Sequence, residues 1–260
     1  MSDRIDEMSW VEFDRRRQGT KLVIVPTGAV EIYGPHLPMG SDGIVATEIA
    51  TRVAGKTGAM IAPFIPLGES SMLLDYPGTQ TIRKSTFESI IDDTCTNLIQ
   101  YGFKNILFIT GHAGNVDTVN YLARRYQRQY GVTCGQVDWW RLAAAQSEGI
   151  LELTGRMAHG HASECGTSVM LYLRPDLVDM SKAARVEPRD DLYDSLPGFI
   201  RYGRFKDKTP NAIIGDATIA SADKGRLIIE RCVDRIIAFT KSEFDSRGLD
   251  SFESTIGGGI

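Results

Sequence analysis

The stretch Asn105-Ile-Leu-Phe-Ile-Thr-Gly-His-Ala-Gly-Asn115 decides the reading of the fold. Its first six residues form a run of strand length, rich in isoleucine and phenylalanine. A glycine-flanked histidine turn follows, and from Asn115 to about Tyr130 apolar residues recur at helical spacing. Leu22-Val-Ile-Val-Pro-Thr-Gly is a second buried strand, and 42–56 carries Ile44, Val45, Ile49, Ala50 and Val53 on one helix face. Met60-Ile-Ala-Pro-Phe-Ile-Pro reads as a strand that its prolines push toward a sheet edge. Ser85-Thr-Phe-Glu88 has the form of a capping box opening a helix to about Tyr101. Cys134-Gly-Gln-Val-Asp-Trp-Trp140 is a further strand, on which Trp139 and Trp140 would face opposite ways. A helix from Glu164 to about Leu173 stops at Arg174-Pro175, and a terminal helix from about Ala222 to Ser246 turns Ile228, Ile229, Cys232, Ile236 and Phe239 inward. Alternation of this kind implies an α/β fold with a mainly parallel central sheet and helices on both faces. Sites in such sheets form beyond the carboxyl ends of the strands.

The chain has 260 residues, 42% of them hydrophobic, which suits one domain over 1–260 with a sizeable core. The segment 174–211 is polar and irregular, a lid, a subunit contact or a mobile excursion by its length, and the tail Ile256-Gly-Gly-Gly-Ile260 reads as frayed. A net charge of −4 without long charged blocks argues against nucleic acid or an anionic membrane as partner. The polar N-terminus does not read as a signal peptide, and no apolar stretch approaches the roughly 20 residues of a membrane span. Cys95, Cys134, Cys165 and Cys232 form no C-x-x-C pair, so a reduced, cytoplasmic chain is the simple reading. Cys165 adjoins Glu164, but no base can be paired with it as for a catalytic thiol.

All four histidines fall in three glycine-bearing patches. His36 lies in Glu31-Ile-Tyr-Gly-Pro-His-Leu-Pro-Met-Gly-Ser-Asp42, His112 in Thr110-Gly-His-Ala-Gly-Asn115, and His159 and His161 in His159-Gly-His-Ala-Ser-Glu164. Two patches directly follow strands, so they can converge. Glu31, His36, Asp42, His112 and Glu164 together offer imidazoles and carboxylates that Zn, Mn or Fe accepts as a divalent metal. Each has a plainer reading alone: Asp42 as an N-cap, Glu164 as a first-turn acid, a lone histidine as a satisfied polar group. Those plainer readings must be repeated independently for every patch, which favours a metal centre. His161 and Glu164, three apart at a helix start, could share one cleft, as ligand and proton carrier. The Gly-His-Ala-Gly turn lacks nucleotide-loop spacing, and no Gly-x-Ser-x-Gly elbow occurs.

These blocks resemble the creatininase (creatinine amidohydrolase) family, which shows Glu-x-His-Gly-x-His-Leu-Pro…Asp, Gly-His-x-x-Asn and His-Ala-Gly-Glu-like segments. Asp75-Tyr-Pro-Gly-Thr79 and Gly215-Asp-Ala-Thr…Lys224-Gly225 look like further family segments, so the resemblance runs from about Leu22 to Gly225. It implies a creatininase-like domain, a metal-dependent hydrolase acting on a small molecule, and a homo-oligomer, often a hexamer. Glu31, Asp42 and His112 match the ligands of the family's first metal. Tyr33 stands where the family has a histidine for a second metal, and Gly114 where creatininase itself has a glutamate for that metal. The resemblance therefore implies one well-defined metal, with Glu164 as a stand-in carboxylate and His36 as ligand or substrate contact. His161 would move a proton, and Tyr33 would donate to a substrate oxygen or merely pack.

The implied reaction is the opening of a small cyclic amide or carbonyl ring by attack of metal-activated water. Because both departures weaken the case for creatinine, three alternatives stand beside it. One is ring-opening C–C hydrolysis of an oxidised inositol of the 3-dehydro-scyllo-inosose type. Another is a metal-dependent peptidase, favoured by a carboxylate-binding Arg or Lys in a wide cleft. The last is a non-catalytic binding protein on the same scaffold.

Overall fold

A computed structural model describes residues 2–188 and 203–245. In chain order the elements are α1 (Trp10–Gly19), β1 (Leu22–Thr27), α2 (Ser41–Thr57), β2 (Met60–Ile61), α3 (Lys84–Gln100), β3 (Asn105–Thr110), α4 (Val116–Tyr130) and β4 (Thr133–Asp138). Then follow α5 (Trp139–Gln146), α6 (Gly155–His159), α7 (Glu164–Leu173), β5 (Arg185–Val186), α8 (Phe205–Lys208), β6 (Gly215–Asp216) and α9 (Ala222–Thr240). The central sheet is parallel, in the order β2-β1-β3-β4, and β5 and β6 form a small antiparallel pair.

Apolar residues alternate through the sheet and are buried on both sides, as a parallel sheet demands. Ile24, Leu107 and Ile109 pack with Val45, Ile49 and Val53 of α2 and Ile228 and Cys232 of α9. Val23, Val25, Ile106 and Phe108 pack with Phe87 and Ile91 of α3 and Leu122 and Tyr126 of α4. Each fully buried side chain of this size contributes about 1.5–3 kcal/mol. The helix after β1 thus covers one face and the helix after β3 the other, although the two strands are neighbours. Divergence of successive helices leaves a crevice at the carboxyl ends of β1 and β3, the switch point where α/β sheets bind ligands.

The edge position of the proline-rich strand matches its reading, with only Met60–Ile61 regular. Other local expectations differ. Helix α3 starts at Lys84 and its N-cap, Arg83, makes no side-chain cap, so Ser85 lies inside the helix and no capping box forms. Strand β4 ends at Asp138, so strand alternation does not govern Trp139 and Trp140, which open α5. Helix α1 escapes sequence reading because it buries no residue, although Ser9 caps it by accepting from Glu12 N–H at 3.2 Å. The last helix keeps Ile228, Ile229, Cys232 and Ile236 inside but leaves Phe239 36% exposed, and Lys241–Asp245 continues as a π turn. The irregular segment carries β5, α8 and short 3-10 turns; its residues 189–202 and the tail 246–260 lie outside the described residues. Among the described residues no helix is long and apolar enough to cross a membrane.

Candidate metal centre

Three elements deliver three ligand-type side chains to the crevice. Glu31 follows β1 in a loop pinned by Glu31 N–H donating to Met39 O at 2.9 Å. Asp42 lies in the first turn of α2, but the helix N-cap is Gly40, so Asp42 is not the cap. Its carboxylate faces His112, which leaves β3 through Gly111. A side chain at Gly111 would collide with the backbone carbonyls of Asp42 and Thr27, so only glycine lets these segments meet.

His112 Nδ1 lies 3.0 Å from Glu31 Oε2 and 3.2 Å from Asp42 Oδ2. One ligand atom from each of Glu31, Asp42 and His112 fits within 4.8 Å of the others, and all three residues are buried. His112 Nε2 is engaged on its far side, donating to Glu69 O at 2.7 Å. That bond assigns the proton to Nε2 whenever the ring is neutral and leaves the Nδ1 lone pair for a cation. Ser70, 2% exposed, donates to Glu31 Oε2 at 2.8 Å and lies 3.2 Å from His112 Nε2. The donor set therefore fits a divalent ion: two carboxylates and an oriented imidazole, with outer partners in place.

Electrostatics agree with a cation site. Burial alone would raise Glu31, but the neighbouring imidazoles, His112 and then His161, outweigh it and bring its pKa to about 2. Asp42 is pushed up to about 6 by burial and then by the Glu31 charge. Burial alone would lower His112, yet its bonds to Asp42 and Glu31 hold it well above the ordinary histidine value. Two carboxylates thus share one proton on Nδ1, and a cation at that point would displace it.

His161 completes one side of the centre. Its Nδ1–H donates to Ala212 O at 2.7 Å, so Nε2 carries the lone pair. Nε2 has no hydrogen-bond partner and lies 3.6 Å from Glu31 Oε1. Only Ala162 and Ala212 among the described non-glycine residues have positive φ, 51° and 59°. One follows His161 and the other holds its Nδ1, and such conformations cost on the order of 1–3 kcal/mol each and cluster at functional sites. The Tyr33 ring packs 4.6 Å from the His161 ring, with Phe205 on it at 5.0 Å. Among the described residues the Tyr33 hydroxyl makes no hydrogen bond; burial, then Asp42, raises its pKa.

Glu31, Asp42, His112, His161 and Tyr33 all line one cavity of about 610 Å³. Both Trp139 and Trp140 line it too, because a helix start turns successive side chains by less than a strand does.

Two expected ligands lie elsewhere. Glu164 is fully buried and does not line the cavity; it accepts from Glu152 N–H at 3.0 Å, Leu153 N–H at 3.2 Å and Lys224 Nζ at 2.7 Å. The helical i,i+3 expectation fails because α7 begins only at Glu164, and left-handed Ala162 separates His161 from it. His36 is 1% exposed and outside the cavity, with Nε2 2.8 Å from Thr167 Oγ1. Its pKa is lowered to about 4 by burial and then by His161, which keeps it neutral. Burial also pushes the Cys165 thiol up, which removes it as a nucleophile.

Sequence reasoning missed Ser70 and Glu69 in the centre and Arg156 on the cavity wall. Ser70 and Glu69 sit in a loop without titratable clustering, and Glu69 acts through a backbone carbonyl that no side-chain pattern reports. His159-Gly-His161 was visible as a patch; His159 lines the cavity as well.

The chain is 29% identical to a creatinine amidohydrolase of Pseudomonas putida, over 92% of this chain and 96% of that one. It is 29% identical to a mycofactocin precursor peptide peptidase of Mycobacterium ulcerans, over 84% and 85%. Identity to a 3-dehydro-scyllo-inosose hydrolase of Thermotoga maritima is 25%, over 87% and 79%. A solved structure of a manganese creatininase superposes with a TM-score of 0.81 at 26% identity, covering 94% of this chain and 99% of that chain. The model of the Creatininase family, described as creatinine amidohydrolase, matches residues 6–240, and the chain belongs to that family of hydrolases.

Proposed function

We propose that this chain is a single-metal hydrolase that opens a small cyclic amide or carbonyl ring. The observation that carries the reading is the buried Glu31–Asp42–His112 cluster, whose imidazole keeps one nitrogen for a cation, beside an unpartnered His161 Nε2. A divalent ion held there supplies Lewis acidity toward a carbonyl and a lowered pKa for water. His161, fixed by Ala212 O, moves the proton from water toward the leaving atom. Trp139, Trp140 and Phe205 wall the cavity and exclude solvent from the substrate ring.

Sterics support a single ion. A side chain at Gly114 would run into Glu69 O and His112 Nε2, so the turn has no room for a second-site carboxylate. Tyr33, in place of the other second-site ligand, is packed on His161. A second reading, hydrolysis of a hydroxyl-rich cyclic diketone, is favoured by Tyr33 lining the cavity in place of a second-metal ligand, and the Thermotoga maritima relative's name parallels it.

His161→Gln separates the proton role from ligation. The expected result is a kcat loss of about 10²–10⁴-fold on whichever ring is turned over, with metal affinity unchanged. Assays on a cyclic amide and on a polyhydroxylated cyclic diketone, with metal titrations alongside, check it. Wild-type kcat in the variant would remove the proton role, and lost metal would make His161 a ligand.

A further inference from the structure

One buried turn, 209–213, holds His161 from outside the cavity. Ala212 O accepts from His161 Nδ1–H at 2.7 Å, and Ile214 N–H donates to His161 O at 2.9 Å. Ring and main chain of the same histidine are thus clamped by residues two apart. Ala212 presents its carbonyl with φ at 59°, a conformation that alanine does not choose by itself. Neighbouring side chains impose it. Asn211 Oδ1 accepts from Ile213 N–H at 3.2 Å, which closes a side-chain turn around Ala212. The Thr209 hydroxyl donates to Ile213 O at 2.7 Å and lies 3.0 Å from Asn211 Oδ1. Tyr76, farther along the loop that brings Ser70 to Glu31, donates its hydroxyl to Thr209 O. Thr209, Ala212 and Ile213 are fully buried, whereas Asn211 is half-buried and does not line the cavity.

The clamp works against the ring's own preference. His161 Nε2 lies 3.6 Å from Glu31 Oε1. A proton on Nε2 is drawn to that carboxylate oxygen, whereas a lone pair there is repelled by it. A neutral ring without the clamp therefore moves its proton from Nδ1 to Nε2 and closes on Glu31. In that tautomer Nε2 has no lone pair left to take a proton from water. Ala212 O prevents the change, because a carbonyl accepts a hydrogen bond and cannot donate one.

We propose that Asn211 is a positioning residue for the reaction: by holding Ala212 O on His161 Nδ1, it keeps the ring proton away from Nε2, the atom that serves as base. Its consequence for turnover rests on the metal-hydrolase reading above; the tautomer itself does not.

Nitrogen-15 NMR of the metal-free full chain, labelled at histidine and held at a pH where the ring is neutral, reads the tautomer. The His161 signals are identified by their loss in His161→Gln. The wild type is expected to carry the His161 proton on Nδ1. Asn211→Ala is expected to move it largely to Nε2. In the metal-loaded enzyme the same variant is expected to lower kcat about tenfold or more, with KM little changed, on a ring that the wild type turns over. Asn211→Asp keeps an acceptor for Ile213 N–H and is expected to keep the wild-type tautomer. A wild type protonated on Nε2 overturns the clamp. An unchanged tautomer in folded Asn211→Ala overturns the assignment to Asn211. So does a changed tautomer in folded Asn211→Asp, which decides the matter even where the alanine variant does not fold. A wild type that takes up no Zn²⁺ or Mn²⁺ against a chelator overturns the role in the reaction together with the hydrolase reading, whatever the tautomer.

Discussion

Asp42→Asn is expected to lower Zn²⁺ or Mn²⁺ affinity by more than the roughly 10–100-fold that loss of an outer partner costs, because it removes an anionic ligand directly. Competition against a chelator of known affinity measures the loss. The same substitution leaves the metal-free fold at least as stable. Asp42 is buried beside Glu31, and its pKa rises from 3.8 to about 6 on folding. An acid raised in the folded state binds its proton there more tightly than in the unfolded chain. Stability therefore falls as pH rises from 3.8 to about 6, and the deficit persists above that window. Asparagine has the same shape without the charge, so at neutral pH that deficit disappears. The expected pattern is an unchanged or higher melting temperature without metal and a much smaller further rise than in the wild type when metal is added. A melting temperature that climbs with metal as far as the wild type's would show that Asp42 is not a ligand.

Glu164→Ala is expected to act oppositely, costing about 3–5 kcal/mol of folding stability while leaving metal affinity unchanged. The variant strips a fully buried carboxylate from Lys224 Nζ, 2.7 Å away, and leaves two backbone N–H groups without their acceptor. Lys224 keeps Glu152 Oε1 and Ile219 O, each at 2.7 Å, which places the loss toward the lower end of that range. Urea unfolding of the metal-free protein reads the stability, and the chelator competition reads the site. Loss of metal with stability intact would return Glu164 to the ligand set.

Much of the site was legible because glycine-rich turns after apolar runs mark strand ends in an α/β sheet. That signal places Glu31, Asp42 and His112 without any contact information, and the closeness of β1 and β3 in the sheet brings them together. Spacing alone misled at the third patch. His161 and Glu164 look like helical neighbours, but Ala162 is left-handed, so one faces the cavity and the other the protein interior. Nothing in an alanine announces that conformation. His36 shares a patch with Glu31 and Asp42 yet is buried outside the cavity, with its ring on Thr167. Short helices at 139–146 and 155–159 were invisible for a different reason: eight and five residues are too few to set a helical period. Backbone acceptors such as Glu69 O and Ala212 O orient both working imidazoles, and side-chain identity carries no trace of them.

The most direct test of the single-metal account is elemental analysis of the purified wild-type protein, in metal equivalents per chain, after equilibration with excess Zn²⁺ or Mn²⁺ and removal of weakly held ion. The result expected from the crowding at Gly114 and the packing of Tyr33 is one tightly held equivalent. Two equivalents held with similar affinity, or none, would contradict it.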